Sequence, residues 1–215
     1  MVSPGQFISV FESNGLIQKL DRYVWNEAAA QIRRWKDTFG VTVPVSVNVS
    51  RVDIFDPMLG EKLTVLLKNN GITSENLLLE ITESAYTDNA AQIIETVSAL
   101  RDMGFRIEMD DFGCGYSSLN MLTSMPTDAL KLDMAFIRDI CTDTKAARLV
   151  GIIIEIARLL EVPVIAEGVE IKEQMELLKE LGCDIIQGYY FSRPVPPDEF
   201  AGFLTENKED AYAYN

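Results

Sequence analysis

No histidine occurs among the 215 residues. That absence excludes Ser-His and Cys-His nucleophile pairs and His-ligated zinc. Acid–base work is left to carboxylates, lysine, tyrosine or metal-bound water. Cysteine is scarce: Cys114, Cys141 and Cys183 are odd in number and far apart, with no C-x-x-C pair. Such usage predicts reduced thiols in a cytoplasmic chain rather than a disulfide framework. Positive charge is in deficit, 19 Lys and Arg against 33 Asp and Glu, so the formal charge is −14. A surface of that sign repels phosphate backbones, and no nucleic acid polymer is expected as a partner. Long apolar runs are missing too: the greasiest stretch, Leu149 to Leu160, is broken by Glu155 and Arg158, so no membrane contact is expected of this segment. The first residues lack the basic start and apolar centre of a secretory signal. No G-x-G-x-x-G follows a strand, which weakens an open nucleotide-binding sheet. The Asp111-Phe112-Gly113 tripeptide comes without a His-Arg-Asp partner, so the kinase reading falls.

What is present is a repeating order of helix, glycine, strand. Leu16, Leu20, Val24, Ala28, Ile32 and Trp35 recur at helical spacing up to Gly40, and Val43 to Val49 then alternates and is rich in β-branched residues. The order returns with Leu63 to Asn70, Gly71 and Leu77 to Ile81, and with Ile93 to Met103, Gly104 and Phe105 to Met109. Later strands are Ala129 to Leu132, Val164 to Ala166 and Asp184 to Ile186. Repeated returns in one direction make a parallel α/β sheet. The apolar strands end in Asn48, Glu80, Asp110 with Asp111, Lys131, Glu167 and Gln187. Catalytic side chains at the C-terminal ends of several strands are the mark of a TIM-type (β/α)8 barrel. Six strands are visible where such a barrel has eight, and Ser3-Pro4 opens a helix, so the first strands are expected to precede Met1. Residues 1–205 are read as one domain and 206–215 as a polar tail.

Adjacent carboxylates resist joint ionisation unless a cation joins them. Asp110 and Asp111, with Glu80 and Glu167 converging, therefore ask for metal, and oxygen donors without histidine point to Mg²⁺ or Mn²⁺. Asn48 adds a neutral oxygen. Glu80 and Glu83 are three apart in sequence and face opposite ways in a strand, so one is expected to coordinate and the other to anchor a loop or cap the helix near Ser84. Lys131 is open to three roles: polarising water or phosphate, serving as a Schiff-base amine, or pairing with Asp133. The stretch after Asp110 holds two glycines for a mobile loop, with Ser117 or Ser118 as a helix N-cap.

Six motifs in chain order then carry a family resemblance: Asn48-Val-Ser, Glu80-Ile-Thr-Glu83-Ser, Asp110-Asp111-Phe-Gly-x-Gly-Tyr-Ser-Ser-Leu, Lys131-Leu-Asp133, Ala166-Glu167-Gly-Val-Glu170 and Gln187-Gly-Tyr-x-Phe-Ser-Arg193-Pro194. From Ser3 to about Phe200 the chain resembles an EAL domain, the bacterial phosphodiesterase that hydrolyses cyclic di-GMP to linear pGpG. The resemblance implies two Mg²⁺ or Mn²⁺ ions, one on Asn48, Glu80 and Asp110 and the other on Asp110, Asp111 and Glu167. It implies catalytic roles for Lys131, Glu167 and Asp110, with Lys131 steadying the nucleophilic water and Gln187 supporting the inner shell. Glu83 matches the glutamate that positions the Asp-Phe-Gly loop, and Glu170 and Arg193 fall in the substrate-binding or supporting motifs. Cys114 replaces the family's usual threonine. The Glu-Ala-Leu segment, whose glutamate is a metal ligand and whose following arginine contacts substrate, is not in the chain and is expected ahead of Met1.

Three functions follow as expectations. The leading one is a cyclic di-GMP phosphodiesterase, with an upstream sensory or GGDEF domain and homo-oligomerisation through uncovered sheet edges. The second is a non-catalytic cyclic di-GMP receptor or partner-binding module. The third, a lysine-dependent aldolase on Lys131, is opposed by clustered carboxylates that would hold the amine protonated.

Overall fold

The computed structural model describes residues 4–87, 89–113 and 124–206. Six strands form one sheet: β1 (Val45–Asn48), β2 (Leu77–Thr82), β3 (Ile107–Phe112), β4 (Ala129–Leu132), β5 (Val164–Ala166) and β6 (Ile185–Ile186). They pair in sequence order, every pair parallel, with β1 and β6 at the two edges. Helices α1 (Pro4–Asn14) and α2 (Ile17–Phe39) precede β1, and α3 (Arg51–Ile54) and α4 (Leu59–Asn70) lie between β1 and β2. Then come α5 (Ala90–Asp102) before β3, α6 (Met134–Arg138) and α7 (Thr144–Leu159) before β5, α8 (Lys172–Leu181) before β6, and α9 (Pro197–Glu206) last. The sheet is a curled, partial barrel. The element order expected from periodicity holds throughout, while β1 is shorter than Val43–Val49 and β3 runs on through the two aspartates. Residues 207–215, Ser3, Cys114, Ser117 and Ser118 lie outside the described residues. Among those described, no helix is long and apolar enough to cross a membrane.

The core lies between the outward face of the sheet and the helices. Leu77, Leu79 and Ile81 of β2 and Ile107 and Met109 of β3 are buried with Ile32, Leu63, Ile93 and Val97 from the helices. The alternate positions face the inside of the curl, and among them Ser46, Glu80, Glu108, Asp110 and Lys131 meet by hydrogen bond or ion pair. Period-two alternation thus separates a greasy outer face from a chemical inner one. Gly40 and Gly71 end α2 and α4 in the left-handed region, at φ 69° and 62°, where a Cβ would be strained.

Helix α2 also grips the end of β1. Trp25 Nε1 donates to Asn48 O at 2.8 Å, and Ser50 N–H donates to Asp21 Oδ2 at 3.1 Å. Ser50 Oγ donates in turn to Asp53 Oδ2 at 2.8 Å. Asp21 and Asp53 are both buried, and burial, followed by the hydrogen bond with Asp53, pushes the Asp21 carboxyl up to about 7. A carboxyl raised on folding takes up a proton between its ordinary value and the raised one, so stability falls as pH rises through that window and levels off above about 7. Wild-type protein should therefore lose on the order of 2–4 kcal/mol relative to Asp21→Asn between pH 4.5 and pH 8. Parallel urea-unfolding free energies for the two proteins across that range would contradict it.

Candidate functional site

The C-terminal ends of the strands bring the chemistry-bearing residues into one arc. Register places Asn48 beside Glu80 and Thr82 beside Asp110; Lys131 pairs with Ile165, and Ala166 with Ile186, so Glu167 and Gln187 follow at the next level. Gln187 N–H donates to Ala166 O at 2.8 Å and its carbonyl accepts from Val169 N–H at 3.1 Å, which ties the end of β6 to the loop after β5.

Lys131 is the hub. Its Nζ is ion-paired with Glu80 Oε1, lies 2.7 Å from Glu167 Oε1 and 3.2 Å from Asp110 Oδ1, and is 6% exposed as a residue. Asp133, the partner that sequence proximity offered, instead caps α6 by accepting from Ala135 N–H at 2.7 Å. Burial alone would lower the lysine's pKa, but Glu80, Glu167 and Asp110 outweigh it and hold the ammonium above its ordinary value. An amine kept protonated is not a Schiff-base nucleophile, so the geometry opposes the aldolase reading.

Burial raises the Glu80 carboxyl against the pull of Lys131. Burial and then the neighbouring Asp110 raise Asp111. Asp110 Oδ1 is buried and, despite the nearby ammonium, has no hydrogen bond. Among the described residues no three acidic side chains are gathered tightly enough to hold an ion by themselves; an ammonium stands between them. The donor set nevertheless fits a hard divalent cation: oxygen ligands, an underused buried carboxylate oxygen, and acids whose raised pKa values a cation would bring down.

Two consecutive aspartates can both serve one mouth because β3 is bulged. Met109 pairs with Leu130 and Phe112 with Leu132, so two residues of β3, Asp110 and Asp111, stand against one of β4, Lys131. Asp111 supplies the extra residue at φ 55°. The bulge returns Phe112 to the buried face shared by Met109 and leaves Asp111 exposed beside Asp110. Glu83, just past β2 in the 3-10 turn Glu83–Thr87, is no strand residue: its Oε2 accepts from Gly113 N–H at 2.6 Å. It anchors the chain immediately after the aspartates, where a Cβ on Gly113 (φ 92°) would run into the Phe136 ring. Glu83→Ala should lower unfolding free energy by about 1–3 kcal/mol; an unchanged urea midpoint would refute that anchor. Asn48 and Gln187 are exposed. Glu170 is exposed on the loop before α8, where its N–H donates to Gln174 Oε1 at 2.9 Å. Arg193 lies beyond β6 with its guanidinium 5.0 Å from the Tyr189 ring centroid. Sequence reasoning missed Glu108, buried on the inner face of β3 and bonded by Ser46 Oγ at 2.8 Å. Its two-residue spacing from Asp110 was the available signal.

Comparison with known proteins agrees with this architecture. The family model of the EAL domain matches residues 1–194. Signaling protein YkoW of Bacillus subtilis is 40% identical over 94% of this chain and 25% of its own length. The bifunctional diguanylate cyclase/cyclic di-GMP phosphodiesterase MucR of Pseudomonas aeruginosa is 35% identical over 93% of the chain and 29% of its own length. The chain thus spans between a quarter and a third of these curated relatives. The solved structure of the PaMucR phosphodiesterase in complex with c-di-GMP superposes with a TM-score of 0.87 at 35% identity, covering 93% of this chain and 81% of that one. With most of its length matched by the family model and its strand-end residues in one arc, the chain belongs to the EAL domain family.

Proposed function

We propose that this domain hydrolyses cyclic di-GMP to linear pGpG with the help of divalent cations. The observation that carries the reading is the buried Lys131 ammonium among Glu80, Asp110 and Glu167 at the strand ends, in a chain whose relative PaMucR has been solved with c-di-GMP. Asn48, Glu80 and Asp110 would hold one Mg²⁺ or Mn²⁺, and Asp110, Asp111 and Glu167 a second. When bound, such a pair supplies an activated water and charge stabilisation at the phosphoryl oxygens. The water oxygen attacks phosphorus, the P–O3′ bond breaks, and the 3′ oxygen takes up a proton. Lys131, held charged by its three carboxylates, orients the water and offers a positive charge to the reacting phosphate. Glu83 holds Gly113 and with it the backbone after Asp111. Gln187 supports the inner shell beside Glu167, and Glu170 and Arg193 support substrate.

Upstream sensory or GGDEF domains as partners are part of the same proposal, since the relative MucR carries a cyclase in its name and is longer than the matched segment. Chromatography of cyclic di-GMP incubated with protein and Mn²⁺, alongside calorimetric binding of the same nucleotide, separates turnover from binding. Conversion to pGpG that EDTA abolishes supports the phosphodiesterase. Tight binding with the nucleotide recovered intact overturns it in favour of a receptor module.

A further inference from the structure

Glu108 has no part in the roles assigned above. It lies on β3 two residues before Asp110 and in register with Glu80, and is 6% exposed. A carboxylate at that depth is costly unless hydrogen-bonded, and its bond comes from an unexpected place. Ser46 Oγ, which donates to Glu108 Oε2 at 2.8 Å, belongs to β1, and β2 lies between β1 and β3. Ser46 is paired with Leu78 and Glu108 with Glu80, so the two side chains meet over the inner face of β2. The bond is a chord across the curl of the sheet, and its length helps fix how sharply β1 turns inward.

Among the described residues the ladder of β1 runs to β2, and further contacts hold it on both faces. From outside it is held by Trp25 at Asn48 O and by Asp21 at Ser50 N–H; from inside, the Ser46 to Glu108 bond opposes them. Asn48 follows Ser46 by two residues and so shares its face. We infer that Glu108 is a positioning residue of the proposed phosphodiesterase site, acting through Ser46 to set where β1 presents the Asn48 amide. The inference rests on the metal-dependent reading of that site.

The test is a double-mutant cycle read by Mn²⁺ calorimetry, with thermal unfolding in parallel. Loss of an outer partner that orients a ligand weakens metal affinity by about 10–100-fold. Glu108→Leu, which fills the volume without an acceptor, and Ser46→Ala should each weaken Mn²⁺ binding by about tenfold, the double variant no further than either. Glu108→Gln keeps an acceptor for Ser46 and should restore affinity to within about twofold of wild type. Should Glu108→Leu fail to fold, Ser46→Ala and Glu108→Gln carry the same comparison. Unchanged affinity in Ser46→Ala with a lowered Tm, additive losses, or a Gln variant as weak as Leu would each overturn the inference. Wild-type protein that binds no Mn²⁺ would instead overturn the proposed function.

Discussion

Lys131→Met will cost the metal-free protein about 3–5 kcal/mol of unfolding free energy, the loss that follows when one partner of a buried ion pair is removed. Nζ is the shared cation of Glu80, Asp110 and Glu167, and Lys131 and Glu80 are nearly buried, with side-chain exposures of 7% and 12%. Without it the carboxylates face one another through a medium less polar than water. Glu80, which burial already raises against the pull of Lys131, relieves the repulsion by taking up a proton, and a group whose pKa rises on folding loses its contribution as pH climbs through the raised value. The penalty should therefore grow as pH rises. Turnover of cyclic di-GMP should fall by about 10²–10⁴-fold, and borohydride should trap no adduct on the wild-type lysine. Urea unfolding in EDTA at pH 8 checks the first part: a loss under about 1 kcal/mol would show that the carboxylates do not depend on the ammonium.

Asp110→Asn should erase most of the stabilisation that divalent ions confer. Asp110 is the residue proposed to touch both ions, and its Oδ1 is buried without a hydrogen bond. A ligand at one hundred times its Kd stabilises the folded state by about 2.7 kcal/mol, which in a domain of this size corresponds to roughly 5–10 °C in Tm. Asparagine keeps the shape and one carbonyl oxygen but removes the charge that a hard cation needs. Differential scanning calorimetry with and without Mn²⁺ should show that shift in wild type and a small remainder in the variant. Equal shifts in both would place the ion elsewhere.

Much of the architecture was legible because period and punctuation agree. Apolar spacing marks the long helices, Gly40 and Gly71 mark their ends, and six β-rich runs between them leave little choice but a parallel sheet. The arc of strand-end residues was legible too, since Asn48, Glu80, Asp110, Lys131, Glu167 and Gln187 each close an apolar run. What escaped were features set by neighbours distant in sequence. Asp111 as the extra residue of a bulge depends on β3 pairing with Leu130 and Leu132 of β4, which a single strand cannot announce. Lys131 has an acidic neighbour at Asp133, and local proximity alone cannot reveal that three other strands offer better partners. Glu83 looks like a strand residue by continuation, yet the chain turns at that residue and sends its carboxylate to Gly113. Glu108 hides among apolar β3 residues, and its partner lies two strands away.

In the proposed reaction water attacks a phosphodiester at this mouth under the charge of Lys131 and bound divalent ions. Mass spectrometry of cyclic di-GMP incubated with the protein and Mn²⁺ in H₂¹⁸O tests it most directly. Linear pGpG should carry one ¹⁸O on its 5′ phosphate. Unlabelled product, or cyclic di-GMP recovered intact, would contradict it.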